Sequence, residues 1–199
     1  MAVITSLEDL RSGHVLLGEA IAMRAFDGPA TVLGNADEVL YILGRDEGIF
    51  VPAGAQVTID AGTVIGVRAD FSRPAKAGPH TVRLADQPIQ QTGDRWYREL
   101  IQSEITQFVG SIPPGRAPDH FHLYEEVLCI LMGSGFLRAD GKRTPIGVGS
   151  CVYLPKRQVH CVENIGSGEL RLLGVFYPAG SPAARYGVED RAGERPSGG

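Results

Sequence analysis

The sequence has few cysteines and no long apolar run. Only three of its 199 residues are cysteine, an odd and low number. The chain also begins without a basic segment, an apolar core and a cleavage site, so a disulfide framework is not expected. No stretch of about 18 or more apolar residues appears, which argues against a membrane-spanning helix. We therefore expect a cytoplasmic protein without a membrane partner.

The net charge argues against nucleic acid as a partner. The formal net charge is −4, from 19 Lys and Arg against 23 Asp and Glu. The N-terminal half shows neither a basic stripe nor a helix-turn-helix pattern. Nucleic acid is therefore not expected as a partner. The expected partner is a small-molecule substrate.

Glycine, proline and short apolar runs indicate a β-rich fold. The chain contains 26 Gly and 13 Pro, and turn residues punctuate the strand-like segments of its C-terminal half. Asp140-Gly141 stands between two such segments and predicts a β-hairpin. Many short antiparallel strands with turns of this kind predict an all-β sandwich or barrel.

Two stretches of the C-terminal half carry candidate metal ligands. His120, His122 and Glu126 share one parity, so on a strand their side chains point the same way. His160 supplies another imidazole from a distant strand. Imidazoles and carboxylates are good ligands for divalent transition metals, and burying these groups without a partner would be costly. The sequence therefore predicts that these four residues bind one divalent transition-metal ion, whether Fe, Mn, Ni, Co or Zn.

The same residues carry a family resemblance. Residues 120–133 follow the pattern H-x-H-x3-E-x6-G. Residues 149–164 follow G-x5-P-x-R-x2-H-x3-N, in which Arg157 stands where glycine is usual. Through these two motifs, residues 105–178 resemble the cupin superfamily. The resemblance implies a small jelly-roll barrel in the C-terminal half, with the metal ion bound by the three histidines and the glutamate.

The N-terminal half contains a fainter copy of the same unit. Residues 37–44 read like residues 125–133, and residues 50–54 read like residues 153–157. This self-similarity indicates a duplication, that is, a bicupin-like architecture. The copy is degenerate, because the positions of the three histidines are occupied by Val32, Gly34 and Val57.

The N-terminal copy is also shorter. Glu126 and Pro155 are 29 residues apart, whereas the corresponding Glu38 and Pro52 are 14 apart. The difference is about the length of a β-hairpin with its turn. We therefore predict a partial, cupin-like β unit that needs another surface to cover it, either the C-terminal barrel or a second subunit. A homodimer is expected, since pairing would protect short edge strands and exposed apolar surface.

These patterns divide the chain into four predicted segments. Residues 1–70 form the degenerate cupin-like unit, and residues 71–100 form a connector. Residues 101–180 form the metal-binding barrel. Residues 181–199, which are rich in glycine, proline and charge, form a flexible tail.

Five side chains of the ligand cluster or near it receive further predictions. Glu126 is a candidate catalytic base as well as a ligand. Tyr124 shares the inward parity and either donates a hydrogen bond to the substrate or caps the barrel mouth. Glu125 has the opposite parity and is expected to be a solvated charge, although a β-bulge would let it exchange roles with Glu126. Cys161 is expected to face away from the metal, and Asn164 to fix a turn.

The cavity around the metal is expected to be mostly apolar. No convergent basic cluster is evident beside the ligands, because Lys156 and Arg157 lie on a turn and are expected to be exposed. A phosphorylated substrate is therefore disfavoured. The candidate lining residues are Phe108, Leu128, Ile130, Met132, Phe136, Tyr153, Val162 and Phe176.

Three functions are compatible with these residues. The resemblance implies first an oxidoreductase, most plausibly a dioxygenase whose substrate binds the metal through oxygen atoms. An isomerase or lyase that uses the metal as a Lewis acid on a small carbonyl or sugar substrate is the second alternative. A non-catalytic module that binds a small ligand is the third. The fold alone does not choose among them, because one fold hosts many chemistries.

Overall fold

The computed structural model describes residues 1–69, 78–184 and 186–187. These residues form many short strands, one short α-helix and one 3₁₀ helix, so the prediction of an all-β fold is confirmed. The N-terminal half contains β1 (Val3–Ser6), α1 (Leu7–Arg11), β2 (Leu16–Leu17), β3 (Ile21–Asp27), β4 (Ala30–Leu33), β5 (Glu38–Ile42), β6 (Glu47–Val51), β7 (Gln56–Ile59) and β8 (Thr63–Ala69).

The second half of the described chain continues with further strands. They are β9 (His80–Arg83), the 3₁₀ helix (Leu84–Asp86), β10 (Gln90–Thr92), β11 (Arg95–Gln102), β12 (Thr106–Ile112), β13 (Gly115–Arg116), β14 (His120–Phe121), β15 (Glu125–Met132), β16 (Ser134–Ala139), β17 (Lys142–Gly147), β18 (Ser150–Leu154), β19 (His160–Asn164), β20 (Leu170–Tyr177) and β21 (Tyr186–Gly187).

The described strands form two sheets in each half of the fold. A seven-stranded sheet has the order β1-β18-β15-β20-β12-β11-β10, and it faces a six-stranded sheet of order β17-β16-β19-β14-β21 in which β13 also pairs with β19. Together these two sheets form the C-terminal jelly-roll barrel. The N-terminal unit has a six-stranded sheet of order β2-β3-β8-β5-β6-β9 and the pair β4-β7.

Strand pairing repeats between the two halves. In the barrel, β15 lies between β18 and β20, β20 continues to β12, and β14 pairs with β19. In the N-terminal unit, β5 lies between β6 and β8, β8 continues to β3, and β4 pairs with β7. The hairpin β16-β17 has no counterpart, because β5 leads directly into β6. The predicted duplication, with a truncated first copy, is therefore confirmed.

The hairpin present only in the barrel has the turn that its sequence predicts. Ala139 and Lys142 are paired across it. Between them, Asp140 and Gly141 have φ angles of 55° and 71°. Positive φ at both central residues is the requirement of the tight turn that matches the twist of two antiparallel strands.

Three apolar cores hold the fold together. One fills the barrel and includes Leu128 and Phe176, and a small one around Leu40 fills the N-terminal unit. The largest lies between the outer faces of the two main sheets, where it joins Tyr41 and Val127. The C-terminal barrel is therefore the surface that covers one face of the truncated unit.

The predicted segment boundaries need correction in three places. β1 belongs to the barrel sheet, where it pairs with β18. Residues 71–77 of the predicted connector lie outside the described residues, but the rest is largely structured: β9 extends the N-terminal sheet, and β10 and β11 extend the barrel sheet. These segments join the sheets because the edge strand of a sheet has unpaired backbone N–H and C=O groups, with which an adjoining segment forms hydrogen bonds.

The predicted flexible tail is partly ordered. Residue 185 and residues 188–199 lie outside the described residues. Residues 181–184 are described, and β21 pairs with β14. No helix among the described residues is long and apolar enough to cross a bilayer.

Candidate metal centre

The barrel strands bring the three predicted histidine ligands together. His120 lies on β14 and is paired directly with His160 on β19, while His122 follows in the loop to β15. One ring nitrogen from each of the three lies within 4.8 Å of the other two. An octahedral ion with bonds of about 2.1 Å places neighbouring donors about 3.0 Å apart and opposite donors about 4.2 Å apart. The three ring nitrogens therefore converge at close to the spacing of ligands on one ion.

Backbone carbonyls orient all three imidazoles. Each Nδ1 lies at hydrogen-bond distance from a carbonyl oxygen: His120 from Pro118 (3.1 Å), His122 from Ala184 (3.0 Å) and His160 from Gln158 (2.9 Å). When Nδ1 carries the proton and donates it in this way, the tautomer and the ring angle are fixed, and Nε2 is the nitrogen presented to a metal.

Glu126 lies beside two of the three imidazoles. Its Oε2 lies 3.3 Å from Nε2 of His160 and 3.7 Å from Nε2 of His122. That oxygen is buried and has no hydrogen-bond partner among the described residues. Leaving a buried carboxylate oxygen unsatisfied is costly, and a cation between the imidazoles and this oxygen would remove the cost. The residues present therefore fit a divalent metal ion.

The electrostatics of the cluster favour an ionised Glu126. Burial raises the pKa of the carboxyl group, but the imidazoles of His160 and His122 outweigh it and hold the pKa of Glu126 below its usual value. Burial correspondingly lowers the pKa of His160, and the adjacent carboxylate outweighs it and raises that pKa. The ionised carboxylate gives the cluster a negative charge that can bind a cation.

Two residues of the second motif fix the backbone around His160. Asn164 Nδ2 donates to the carbonyl oxygens of Ile112 and Gly168, each at 2.8 Å, so the predicted turn role is confirmed. Arg157 adopts a φ of 62°, the left-handed conformation that favours glycine. Its N–H donates to the carbonyl of His122 at 2.7 Å, which ties the turn to the ligand loop. Lys156 and Arg157 are exposed, as predicted.

Tyr124 supports a ligand. Its ring stacks on His122 with centroids 4.9 Å apart and an angle of 12°. Its hydroxyl donates to the carbonyl of Ser181 at 2.7 Å, and burial raises the pKa of that hydroxyl. The carbonyl of Ala184 is shared, since it lies 3.2 Å from the hydroxyl and 3.0 Å from His122 Nδ1. A contact of Tyr124 with substrate stays a prediction.

The expectation of a solvated Glu125 is wrong. The side chain is fully buried, and its carboxylate accepts hydrogen bonds from the N–H groups of Glu19 (2.9 Å) and Ala20 (3.0 Å) and from the Tyr153 hydroxyl (3.1 Å). The N-terminal loop approaches so closely that a Cβ at Gly18 would lie 2.5 Å from a Glu125 oxygen. Opposite parity does place Glu125 outside the barrel, but the N-terminal unit covers that face.

An apolar cavity adjoins the ligand cluster. It encloses about 100 Å³, which is small compared with the roughly 300–1,000 Å³ of drug-sized pockets. Four predicted lining residues border it together with the three histidines and Glu126: Phe108, Leu128, Val162 and Phe176.

The other four predicted lining residues do not border the cavity. Ile130 is buried in the barrel core. Met132 is 40% exposed, because the register of β15 shifts between Ile130 and Met132. Tyr153 faces the opposite side and bonds to Glu125. Phe136 lies beneath the guanidinium of Arg143, 3.2 Å from the ring centroid.

The cysteines lie apart from the ligand set. Cys129, Cys151 and Cys161 are all free and buried. Cys129 and Cys151 are paired across β15 and β18. The metal-ligand group among the described residues contains the histidines and no cysteine, in agreement with the expected direction of Cys161.

Arg95 is a cavity residue that the sequence did not reveal. It borders the same cavity as the ligand cluster and belongs to β11. Residues 71–100 are predicted to form a connector, and that prediction gives no reason to place the side chain of Arg95 in the barrel. The sequence feature that could have placed Arg95 in the barrel is its spacing of two residues from Tyr97, because such residues lie on the same face of a strand and Tyr97 belongs to the barrel core.

Comparison with known proteins agrees with this geometry. Residues 108–176 match the family described as Cupin domain. The C-terminal half of the chain therefore contains a cupin domain. This cupin is 34% identical over 67 residues to an oxalate-binding protein of Thermotoga maritima, an alignment that covers 33% of the chain and 55% of that protein. It is also 35% identical over 54 residues to a protein of Methanocaldococcus jannaschii, over 27% of the chain and 43% of that protein.

The fold has solved counterparts. Bacillus subtilis oxalate decarboxylase, a protein with Mn(II) centers, superposes with a TM-score of 0.63 at 14% identity, covering 90% of this cupin and 74% of that chain. At such identity the likeness shows the fold. The chain spans about half the length of the two curated relatives it matches. Together with the histidine cluster, the comparisons support a metal-dependent cupin that binds a divalent metal ion.

Proposed function

We propose that this cupin is an enzyme that acts on a small organic substrate at one divalent transition-metal ion. His120, His122, His160 and Glu126 would hold the ion. The observation that carries the proposal is the buried, unsatisfied oxygen of Glu126 beside three oriented imidazoles. Four protein ligands leave open positions on an octahedral ion, and an open site is typical of a reaction centre.

The protein's own residues would prepare the substrate for reaction. When bound, the ion would supply Lewis-acid or redox chemistry. Phe108, Leu128 and Phe176 give the cavity largely apolar walls, and charge interactions beside such walls would be stronger than in bulk water. Glu126, held as a carboxylate by its imidazole neighbours, is the group that would accept a proton from the substrate.

The first candidate reaction is an oxidation, with a dioxygenase as its leading form. It is supported by the small, largely apolar cavity, which suits an enolisable or partly aromatic substrate. The second candidate is a lyase or isomerase, and the likeness to oxalate decarboxylase favours the lyase. A non-catalytic role is a third candidate, because the Thermotoga maritima relative is named for binding oxalate.

Oxygen dependence separates these candidates. Protein loaded with Mn²⁺ or Fe²⁺ would be screened for turnover of small organic acids, phenols and diketones, with and without dioxygen. Loss of turnover under strict anaerobiosis supports the dioxygenase, and unchanged turnover supports the lyase or isomerase. Binding without turnover in either atmosphere supports the non-catalytic role. Absence of metal from protein exposed to every candidate ion contradicts the proposed function.

We also propose that this cupin works as a homodimer. Leu17 on β2 is 67% exposed and Leu33 on β4 is 57% exposed, and both lie on the truncated unit. β2 is an edge strand, and pairing of edges or apolar patches between copies would cover such groups. No nucleic acid or membrane partner is part of this proposal.

A further inference from the structure

The N-terminal unit has an arginine where the barrel has an aromatic residue beside its metal-ligand cluster. Glu38 on β5 corresponds to Glu126 on β15. In the strand pairing, Glu38 lies opposite Arg68 on β8, and Glu126 lies opposite Phe176 on β20. Arg68 therefore holds the place in the first copy that Phe176, a wall of the barrel cavity, holds in the second.

A second arginine replaces a second aromatic residue. Arg24 on β3 is paired with the residue two positions before Arg68 on β8. Phe108 on β12 has the same relation to Phe176 on β20. Diagonal neighbours of this kind lie on one face of the sheet, about 7–8 Å apart. Arg24 and Arg68 are therefore neighbours on the inner face of the N-terminal unit.

Glu38 holds Arg24 in place. Nε and Nη2 of Arg24 donate to the two oxygens of the Glu38 carboxylate, at 2.8 Å and 2.9 Å, and the Glu38 side chain is only 4% exposed. Gly66 makes room for this pair, because a Cβ there would lie 2.5 Å from a Glu38 oxygen. Within the described part of the chain, Nη1 of Arg24 forms no hydrogen bond, so a fixed donor group remains for a ligand.

Arg68 adds a positive charge that no carboxylate balances. Its side chain is exposed, and among the described residues it has neither a hydrogen-bond partner nor an ion-pair partner. Glu38 lies opposite it in the strand pairing, but both Glu38 oxygens are bound by Arg24. Two guanidinium groups and one carboxylate thus leave this face with one unbalanced positive charge.

These three charged side chains border a cavity of about 190 Å³. Val32, which occupies a histidine position of the barrel motif, and Leu33 give the cavity an apolar side. Its lining within the described residues includes no acidic side chain other than Glu38. The cavity therefore combines free guanidinium donors with an apolar surface, and its size suits a small ligand.

We propose that this cavity is a second binding site, which takes the carboxylate of a small organic acid. Arg68 and Nη1 of Arg24 would donate hydrogen bonds to the carboxylate, a group whose geometry matches the planar guanidinium. The apolar part of the acid would lie against Val32 and Leu33. A single unbalanced charge favours a monoanion. The site needs no metal ion, so this inference does not depend on the proposed function.

Titration with propanoate, followed by the amide signals in nuclear magnetic resonance spectra, tests the site. Full-length protein would be used with Zn²⁺ bound and again without metal. The signals of Arg24, Thr31 and Gly66 should shift saturably and equally in both forms. Propanamide, which has nearly the same shape without the charge, should bind about tenfold more weakly or worse.

Substitution of Arg68 tests the donor. Arg68→Gln should weaken propanoate binding about tenfold or more, because it removes the unbalanced charge. Arg83→Gln is the matched control, since Arg83 is 72% exposed on β9 of the same sheet, and it should bind propanoate as the unchanged protein does. The positions of the shifted signals in the unchanged protein keep the test decisive if Arg68→Gln does not fold.

Three results would overturn the inference. They are equal affinity of the Arg68→Gln and Arg83→Gln variants, equal binding of propanoate and propanamide, and shifts confined to the barrel. Light scattering of Arg68→Gln adds a further check: a changed oligomeric state with unchanged propanoate affinity would assign Arg68 to a contact between copies instead. Failure of the protein to bind any divalent transition metal would contradict the proposed function and leave this site untouched.

Discussion

Glu125 and Glu126 are neighbours in the chain whose carboxylates serve opposite faces of β15. The Glu126 oxygen lies 3.3 Å from His160 in the barrel, whereas Glu125 accepts backbone hydrogen bonds from Glu19 and Ala20 of the N-terminal unit. β15 therefore presents one carboxylate to the candidate metal site and the neighbouring carboxylate to the N-terminal unit.

We expect the two glutamates to separate metal binding from stability. Glu126→Gln should weaken metal binding tenfold or more, because it removes the negative ligand. Glu125→Gln should leave the metal content unchanged and lower the free energy of unfolding by about 2 kcal/mol, since hydrogen bonds to charged groups contribute about 1.5–3 kcal/mol. Metal analysis and urea unfolding of each variant measure the two effects. Equal loss of metal in both variants would contradict this assignment.

Removal of one imidazole tests the ligand set directly. His122→Ala should reduce the affinity for Mn²⁺ at least tenfold, because the ion loses a donor. The more weakly held ion would also balance less of the charge of the buried Glu126 carboxylate. His14→Ala is the matched control, since His14 is exposed on the N-terminal unit. Calorimetric titration of Mn²⁺ into metal-free protein provides the measurement. The prediction fails if the two variants bind equally.

Metal removal should destabilise the protein. A ligand that binds only the folded state stabilises it by about 2.7 kcal/mol at a concentration a hundredfold above its dissociation constant. The melting temperature of chelator-treated protein should therefore rise with added Mn²⁺, and the rise should continue as the concentration increases. The His122→Ala variant serves as the control and should show little rise. A melting temperature independent of Mn²⁺ would argue against the site.

The hydroxyl of Tyr124 should hold the segment that carries Ala184 against the ligands. Tyr124→Phe removes the hydrogen bond to the Ser181 carbonyl and should cost about 1 kcal/mol. Hydrogen exchange of residues 181–184 and 186–187 should accelerate, because the bond holds the segment that leads to β21. Tyr41→Phe is the control: it removes a hydrogen bond of similar kind, to Asp46, far from this segment. Unchanged exchange in Tyr124→Phe would show that the segment is held by other contacts.

The oligomeric state is open to a direct measurement. Light scattering at micromolar concentration should give twice the chain mass of 21.3 kDa. A double substitution of Leu17 and Leu33 by lysine should shift the protein to monomer, because buried lysine without a partner is costly. Lysine substitution of Ile165, which is 56% exposed on the barrel, is the control. A clean monomer of the unchanged protein would refute the dimer.

The sequence predicted the features that depend on local pattern. The motif with His120, His122 and Glu126 correctly predicted side chains that lie together, although they belong to two strands and the loop between them rather than to one continuous strand. The self-similarity of the halves predicted the shared strand pairing and the missing hairpin, features that follow from local sequence pattern and turn chemistry.

The missed features depend on contacts between distant segments. Burial of Glu125 needs the loop at Gly18, and the cavity position of Arg95 needs β11 to join the barrel sheet. The support that Ala184 gives His122 comes from residues whose composition predicts a flexible tail. Parity fixes the face on which a side chain lies, but it does not identify what covers that face.

The largest apolar core belongs to neither half alone, since it joins residues such as Tyr41 and Val127. An isolated C-terminal barrel would expose the outer side of the strand that carries Glu126, and it would lose the backbone donors that neutralise Glu125. The half without the histidine cluster thus covers one face of the half that contains it. A minimal metal-binding fragment of this protein would therefore have to keep its N-terminal unit.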